Sequence, residues 1–196
     1  VRENNIKTYL DNYGISDIPI RTVDHHLSHC AAGYYTSSFR DATVIVIDSI
    51  GEFETLSIWN ADGNNLKRIY SQGYPHSVGL WYSAMTQRVG LKPNEDEYIL
   101  MGMAAYGDPN RLFNDILNDF ISISNPDNSP KIKFKHNLHR GCRWWRPDLH
   151  TEQDLFDIAA ATQSVYQYIL KIISNWAKWK GKSKNLVLMG GCALNC

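Results

Sequence analysis

An α/β architecture is the fold class this sequence predicts, and three observations predict it. The run Thr43-Val-Ile-Val-Ile-Asp48 is apolar almost throughout and rich in β-branched residues, as a strand buried on both faces should be. Apolar residues recur every three or four positions across 152–178, the period of a long amphipathic helix. That helix feeds a second short apolar run, Leu186 to Met189, which ends in Gly190-Gly191. Strand, hairpins, helices and then a helix leading into a buried strand describe a mixed sheet flanked by helices, not a bundle.

In chain order, Val1 to Tyr13 reads as a helix and Ile18 to Val23 as a strand. Asp24 stands where it can cap a helix from about His25 to Tyr35. Asp41 to Asp48 is the central strand; Glu54 to Asn60 follows, alternating through Thr55, Ser57 and Trp59. Ala61 to Asn65 is a turn and Leu66 to Tyr70 a third strand, which completes an antiparallel meander. His76 to Val89 carries Val78, Tyr82, Met85 and Val89 at helical spacing, and a short helix from Glu97 to Ala105 is broken by Gly107-Asp-Pro109. Residues 122–150 read as a loop-rich insertion with Pro126, Pro130, a basic strand-like Lys131 to Lys135, and two tryptophans between Arg140 and Arg146. The tryptophans at 144, 145, 176 and 179 read as packing residues. Chain normally continues into a helix after a central strand and its glycine turn, so the sequence reads as a fragment of a longer protein.

Composition narrows the function classes. The 196 residues make one large domain or two small ones, with 20 basic and 20 acidic side chains. A net charge of zero excludes a strongly basic nucleic-acid footprint as the main feature. No apolar run reaches the roughly 18–20 residues of a spanning helix, and no charged-then-apolar leader opens the chain. Cys30, Cys142, Cys192 and Cys196 form no CxxC pair; Cys30 and Cys192 lie in apolar or small-residue segments that suit buried reduced thiols. A reducing, cytoplasmic setting is expected, with no membrane partner.

Three features carry chemistry. In Asp24-His25-His26-Leu27-Ser28-His29, the imidazoles of His25 and His29 are one helical turn apart. The cluster reads either as a polar helix start or as a pair that grips one divalent ion, with His26 supporting it or meeting a phosphate. Asp48 ends an apolar strand, where a carboxylate is costly unless it meets a cation, a donor or water. With Gly51, Glu52 and Thr55 it reads either as an ordinary turn or as a phosphate-binding hairpin. Gly190-Gly191 with Asn195 permits close backbone approach to a nucleotide, or serves packing alone; it is neither a P-loop nor GxGxxG. His76 reads as a nucleotide contact or a cap.

Together the segments resemble the N-terminal catalytic domain of the carbamoyltransferase family, of the NodU and cephalosporin and tobramycin O-carbamoyltransferase type. The resemblance rests on Asp24-His-His-Leu-Ser-His-Cys-Ala-Ala-Gly33, Val44-Ile-Val-Ile-Asp-Ser-Ile-Gly-Glu52 with Thr55, His76-Ser-Val-Gly79 with Tyr82, Glu97 to Gly107, and Gly190-Gly-Cys-Ala-Leu-Asn195. It covers residues 108–150 least. It implies an actin/Hsp70/sugar-kinase-like fold on a ribonuclease-H-like sheet. It also implies ATP bound between the glycine turns, and carbamoyl phosphate converted through carbamoyl-adenylate to an O-carbamoylated small molecule. His25, His29 and Asp48 would be metal ligands, for iron by resemblance, with Mn, Zn or Mg compatible with the same set. Gly51, Glu52 and Thr55 would line one phosphate wall and Gly190, Gly191 and Asn195 the other. Residues binding carbamoyl phosphate would precede Val1, a further metal aspartate would follow Cys196, and the C-terminal transfer domain would lie outside this chain. Ile99 stands where many relatives carry lysine. The alternatives are a threonylcarbamoyl-adenylate-using tRNA modifier of the same superfamily and a non-catalytic ATP clamp. Against the former stands the absence of a basic stripe beyond Lys131 to Arg146.

Overall fold

The computed structural model describes residues 3–15, 18–123 and 128–195. Its centre is a four-stranded mixed sheet. Strands β1 (Asp41–Gly51), β2 (Glu54–Asp62) and β3 (Asn65–Gly73) form the expected antiparallel meander. Strand β6 (Leu186–Met189) lies parallel to β1, with Thr43 opposite Leu186 and Val46 opposite Met189. A parallel neighbour requires a crossover, and the chain supplies it through its longest helix.

Both faces of β1 are covered, which is why its sequence does not alternate. Ile45 and Ile47 point into the larger core beneath α3 (Val78–Arg88) and α6 (Glu152–Lys180). Val44 and Val46 point into a smaller core beneath α2 (His25–Thr36), with Cys30 and Tyr34. Helix α2 comes close because Gly33 has no side chain: a Cβ there would lie 2.4 Å from Met189 Cγ and 2.9 Å from Val187 Cγ1. Helix α6 opens with a capping box between Thr151 and Asp154, which satisfies two otherwise free N–H groups. Arg111 then bridges Asp154 at 2.6 Å and Asp157 at 2.7 Å, tying α6 to the segment after the short helix α4 (Glu97–Met103).

Three expectations are corrected. The first helix, α1, covers Glu3–Asp11 and stops short of Tyr13; residues 1 and 2 lie outside the described residues. Residues 18–23 form no strand: Pro19 lacks an N–H donor, and no described segment pairs with this stretch. Helix α3 begins at Val78 because Ser77, not His76, is its N-cap; the Ser77 hydroxyl accepts from Leu80 N–H at 3.1 Å. His76 instead uses Nδ1 to accept from the Phe134 N–H at 3.2 Å.

The described residues of 122–150 are loop-rich, as expected, and the strand-like Lys131 to Lys135 contains a short strand, but the segment is docked on the core. Just before it, helix α5 (Phe113–Phe120) runs into a hairpin of β4 (Ile121–Ile123) and β5 (Ile132–Phe134). Residues 124–127 lie outside the described residues. Arg88 at the end of α3 donates to the carbonyls of Trp145, Arg146 and Leu149 at 2.6–2.8 Å. Cys142 and Trp145 are buried in the main core, whereas Trp144 is 54% exposed and Trp179 59%. Packing therefore describes Trp145 and Trp176 better than the other two. Cys30 and Cys142 are free thiols inside apolar surroundings, and burial pushes both pKa values up to about 12. Cys196 lies outside the described residues. No described helix is long and apolar enough to cross a membrane.

Candidate metal and nucleotide site

The site lies where β1 stops pairing. The β1–β2 register is regular to Ile47 opposite Leu56, breaks, and resumes only at Gly51 opposite Glu54. Asp48 therefore sits at the break in the ladder, three residues before β1 ends at Gly51, and is half buried. Because β6 is parallel to β1, its glycine turn arrives at this same end. Gly190 has φ +92°, and a Cβ there would sit 2.2 Å from the Ile47 carbonyl oxygen, so the turn requires glycine twice over.

Asp48 Oδ1 accepts the backbone N–H groups of Ser49 and Gly191, each at 3.2 Å. Its other oxygen, Oδ2, faces His25 Nε2 at 2.9 Å and His29 Nε2 at 3.2 Å. The two imidazole nitrogens are themselves 3.2 Å apart. Asp24 caps α2 through the Leu27 N–H at 2.9 Å, which fixes the first turn from which both histidines project. Burial raises the Asp48 pKa, but the His25 hydrogen bond, the Gly191 and Ser49 N–H groups and the charge of His29 outweigh it and hold the carboxyl below its ordinary value.

Thus the structure brings together His25, His29 and Asp48, three atoms of which form a triangle with edges of 2.9–3.2 Å. Ligands about 2.1 Å from one ion at right angles to each other are roughly 3 Å apart. Two imidazoles and a carboxylate held on separate elements at that spacing fit a divalent cation, and the set suits Fe, Mn or Zn.

His26 points inward instead. It is fully buried, with Nδ1 2.7 Å from Ser57 Oγ, which also accepts from Trp59 Nε1 at 2.8 Å. The Ser57 hydroxyl thus joins the buried His26 ring to the Trp59 indole, and the tautomer of His26 sets the direction of its hydrogen bond to Ser57. Burial pushes the His26 pKa down, which favours the neutral ring. Its ring and that of His25 press on Gly51, where a Cβ would lie 2.6 Å from His25 Cδ2 and 2.7 Å from His26 Cδ2.

The remaining sequence-selected residues separate. Glu52 is exposed at the hairpin tip and shares a cavity of about 350 Å³ with His25, Ser28 and His29. Thr55 is 1% exposed and donates to the His76 carbonyl at 2.6 Å, so its hydroxyl braces the hairpin base and does not reach open solvent. Asn195 pairs with Gln163 through both amide groups, at 2.7 and 3.1 Å, and Gln163 accepts from Tyr82 OH at 2.8 Å. Asn195 and Gly191 line a second cavity, again about 350 Å³, with Ser49, Tyr82, Tyr98 and Tyr166. That cavity touches the cation corner through Ser49 and Gly191, the two residues whose N–H groups hold Asp48. Sequence reasoning missed Gln163 and Tyr166. The available signal was a glutamine within the apolar stripe of α6, a polar residue where the period calls for core.

Comparison with known proteins agrees in one direction. A family model described as Carbamoyltransferase N-terminus matches residues 3–196. The uncharacterized protein sll1178 of Synechocystis is 33% identical over 192 residues, covering 91% of this chain. Nodulation protein NolNO of Sinorhizobium fredii is 28% identical over 90% of the chain, and nodulation protein NolO of Bradyrhizobium diazoefficiens 27% over 89%. The chain spans only 26–32% of the length of these relatives. Matched from end to end of its described part, the chain belongs to the carbamoyltransferase family and corresponds to that family's N-terminal region.

Proposed function

We propose that this chain is the ATP- and cation-binding part of an O-carbamoyltransferase. The observation that carries the reading is the convergence of His25, His29 and Asp48 at the corner where the Gly190-Gly191 turn meets β1. A cation held there supplies positive charge for nucleotide phosphates. Around it, Ser49 and Gly191 link Asp48 to the cavity lined by Tyr82, Tyr98 and Tyr166, whose flat apolar walls suit a purine. The ribonuclease-H-like, actin-type fold expected for this family accords with a meander followed by a parallel strand, and belongs to the same proposal.

The chemistry follows the resemblance. Carbamoyl phosphate loses phosphate to water, and the carbamate oxygen attacks the α-phosphorus of ATP as pyrophosphate leaves. The carbamoyl carbon is then attacked by a hydroxyl of a small molecule, and AMP leaves. Such a sequence asks the protein for orientation and charge neutralisation more than for covalent help. This chain's own residues contribute accordingly. Asp48 is kept ionised by two backbone N–H groups, His25 and His29 present Nε2 from one helix face, and Tyr82, Gln163 and Asn195 fix one cavity wall through a closed hydrogen-bond chain.

A small-molecule acceptor is preferred over tRNA because part of the basic stretch is already engaged. Arg146 bridges Asp115 at 2.8 Å and Asp148 at 3.3 Å, and the Lys135 amine donates to the Asn118 carbonyl. The decisive experiment is carbamoyl-phosphate-dependent exchange of pyrophosphate into ATP by the full-length protein. Exchange is expected in the wild type and a loss of more than about a hundredfold in His25→Ala, His29→Ala or Asp48→Ala, with folded circular dichroism spectra. Undiminished exchange in all three variants would refute the assignment.

A further inference from the structure

Glu52 occupies a position that hairpin chemistry assigns to another residue. Gly51 pairs with Glu54, so Glu52 and Phe53 are the two central residues of a tight β1–β2 turn. Glu52 has φ +62°. Tight hairpin turns put glycine, asparagine or aspartate at that place, because other side chains are strained there. The glycine of this turn sits one residue earlier, where the rings of His25 and His26 exclude a Cβ.

The other described non-glycine residues with positive φ have local reasons. Asn94, at φ +64°, is a residue that tolerates the left-handed region. Arg146, at φ +45°, is held by its ion pairs with Asp115 and Asp148. Glu52 has neither reason: its carboxylate has no hydrogen-bond or ion-pair partner among the described residues. What it does share is the open cavity bounded by His25, Ser28 and His29.

We infer that Glu52 is an additional, outer carboxylate of the cation site, standing outside the His25, His29 and Asp48 triangle. It is held in a strained turn so that its charge faces the ion gripped by His25, His29 and Asp48. The inference rests on the cation reading above and sharpens it. An anionic side chain beside a phosphate is repulsive, whereas the same side chain beside a divalent cation adds affinity and favours divalent over monovalent ions. Glu52 therefore serves the cation and not, as the motif suggests, the phosphate directly. Strain of this kind persists where the surrounding structure and the function require it.

The test is calorimetric titration of Mn²⁺ and Zn²⁺ into the chelator-stripped full-length protein, paired with thermal unfolding in chelator. Glu52→Gln is expected to weaken Mn²⁺ binding by about tenfold, within the range set by losing a supporting group of a metal site. Glu52→Gly is expected to weaken binding equally while raising the melting temperature by about 2–4 °C in chelator, because the strain is removed. Asp48→Asn is the reference for loss of the site. If the wild type binds neither ion, the cation reading itself falls. If the wild type binds and both Glu52 variants bind within twofold of it, only the role of Glu52 is overturned, and the carboxylate faces a cationic group elsewhere.

Discussion

The corner between α2 and β1 and the seam between α3 and residues 128–150 both bury polar groups, but, with Trp81 Nε1 in the seam as an exception, buried and unpartnered among the described residues, they treat them in opposite ways. At the seam, one guanidinium serves three carbonyls, Cys142 Sγ meets the Ala84 carbonyl at 3.2 Å, and Trp145 Nε1 donates to Asp119 at 2.8 Å. At the corner, three acceptor-bearing atoms crowd within 3.2 Å of one another, His26 Nε2 is buried without a partner, and a glutamate sits in a left-handed turn. A polar group that is fully satisfied within the chain stabilises the fold. One that is gathered and left unsatisfied is arranged for something the chain does not itself contain. The seam is structural and the corner is functional, and variants should separate them.

The largest effect is expected at the seam. Arg88→Met removes the charged donor from three carbonyls at once, and partly buried carbonyls then lose their only charged partner. A cost of about 2–3 kcal/mol follows from hydrogen bonds to charged groups. That corresponds to a fall of roughly 5–10 °C in melting temperature for a chain of this size. Divalent-ion affinity should remain within twofold, because no seam residue reaches His25, His29 or Asp48. A variant that keeps its melting temperature but loses ion binding would reverse the division drawn here.

The converse variant is Gly51→Ala. Its Cβ would press on His25 Cδ2 at 2.6 Å and on His26 Nε2 at 2.9 Å. His26 cannot yield easily, because Ser57 and Trp59 fix it from the other side, so the His25 ring moves. Overpacking of this kind costs about 1–3 kcal/mol. The sharper result should be a loss of about tenfold in ion affinity, since the displaced ring is a ligand. Arg88→Met should therefore lower stability alone, whereas Gly51→Ala should lower stability and affinity together.

The same contrast explains what the sequence disclosed. The corner was legible because its determinants are local in sequence: an i, i+4 histidine pair, a carboxylate at the end of an apolar run, and a glycine turn after a strand. That Asp48 and Gly191 meet was not local, but parallel pairing of β1 with β6 follows from a helix feeding a strand. The seam was illegible because its determinants are tertiary. Nothing near Arg88 announces that it will hold the carbonyls of residues 145–149, and the Lys131 to Lys135 stretch alternates like a strand without revealing its partner, β4. Residues 18–23 failed for the same reason in reverse, since alternation without a partner makes no ladder. Thr55 was selected for its hydroxyl, yet the bulge in β2 near Glu54 turns that hydroxyl toward the His76 and Gln72 carbonyls. Glu52 was selected as part of a motif, while the reason to single it out, its backbone angle, is invisible in sequence.

The smallest expected effect probes whether the seam is held partly by a titratable group. His76 Nδ1 accepts from the Phe134 N–H at 3.2 Å, which anchors β5 to the start of α3. Burial, and then the charges of Lys131 and Lys133, push the His76 pKa below its ordinary value. The unfolded imidazole takes up a proton near pH 6.5, and the folded one resists it. Between the two values the unfolded state binds more protons, so stability rises with pH. The anchor is thus fully present above about pH 6.5 and is lost as pH falls through the folded value, because protonated Nδ1 can no longer accept. Hydrogen exchange at the Phe134 amide, corrected for its intrinsic pH dependence, should show protection falling a few-fold between about pH 7 and 5.5. His76→Gln, whose amide oxygen can accept without titrating, should flatten that profile. An equal fall in wild type and His76→Gln would assign the anchor to packing of Phe134 in the core instead, and the seam would then owe nothing to this histidine.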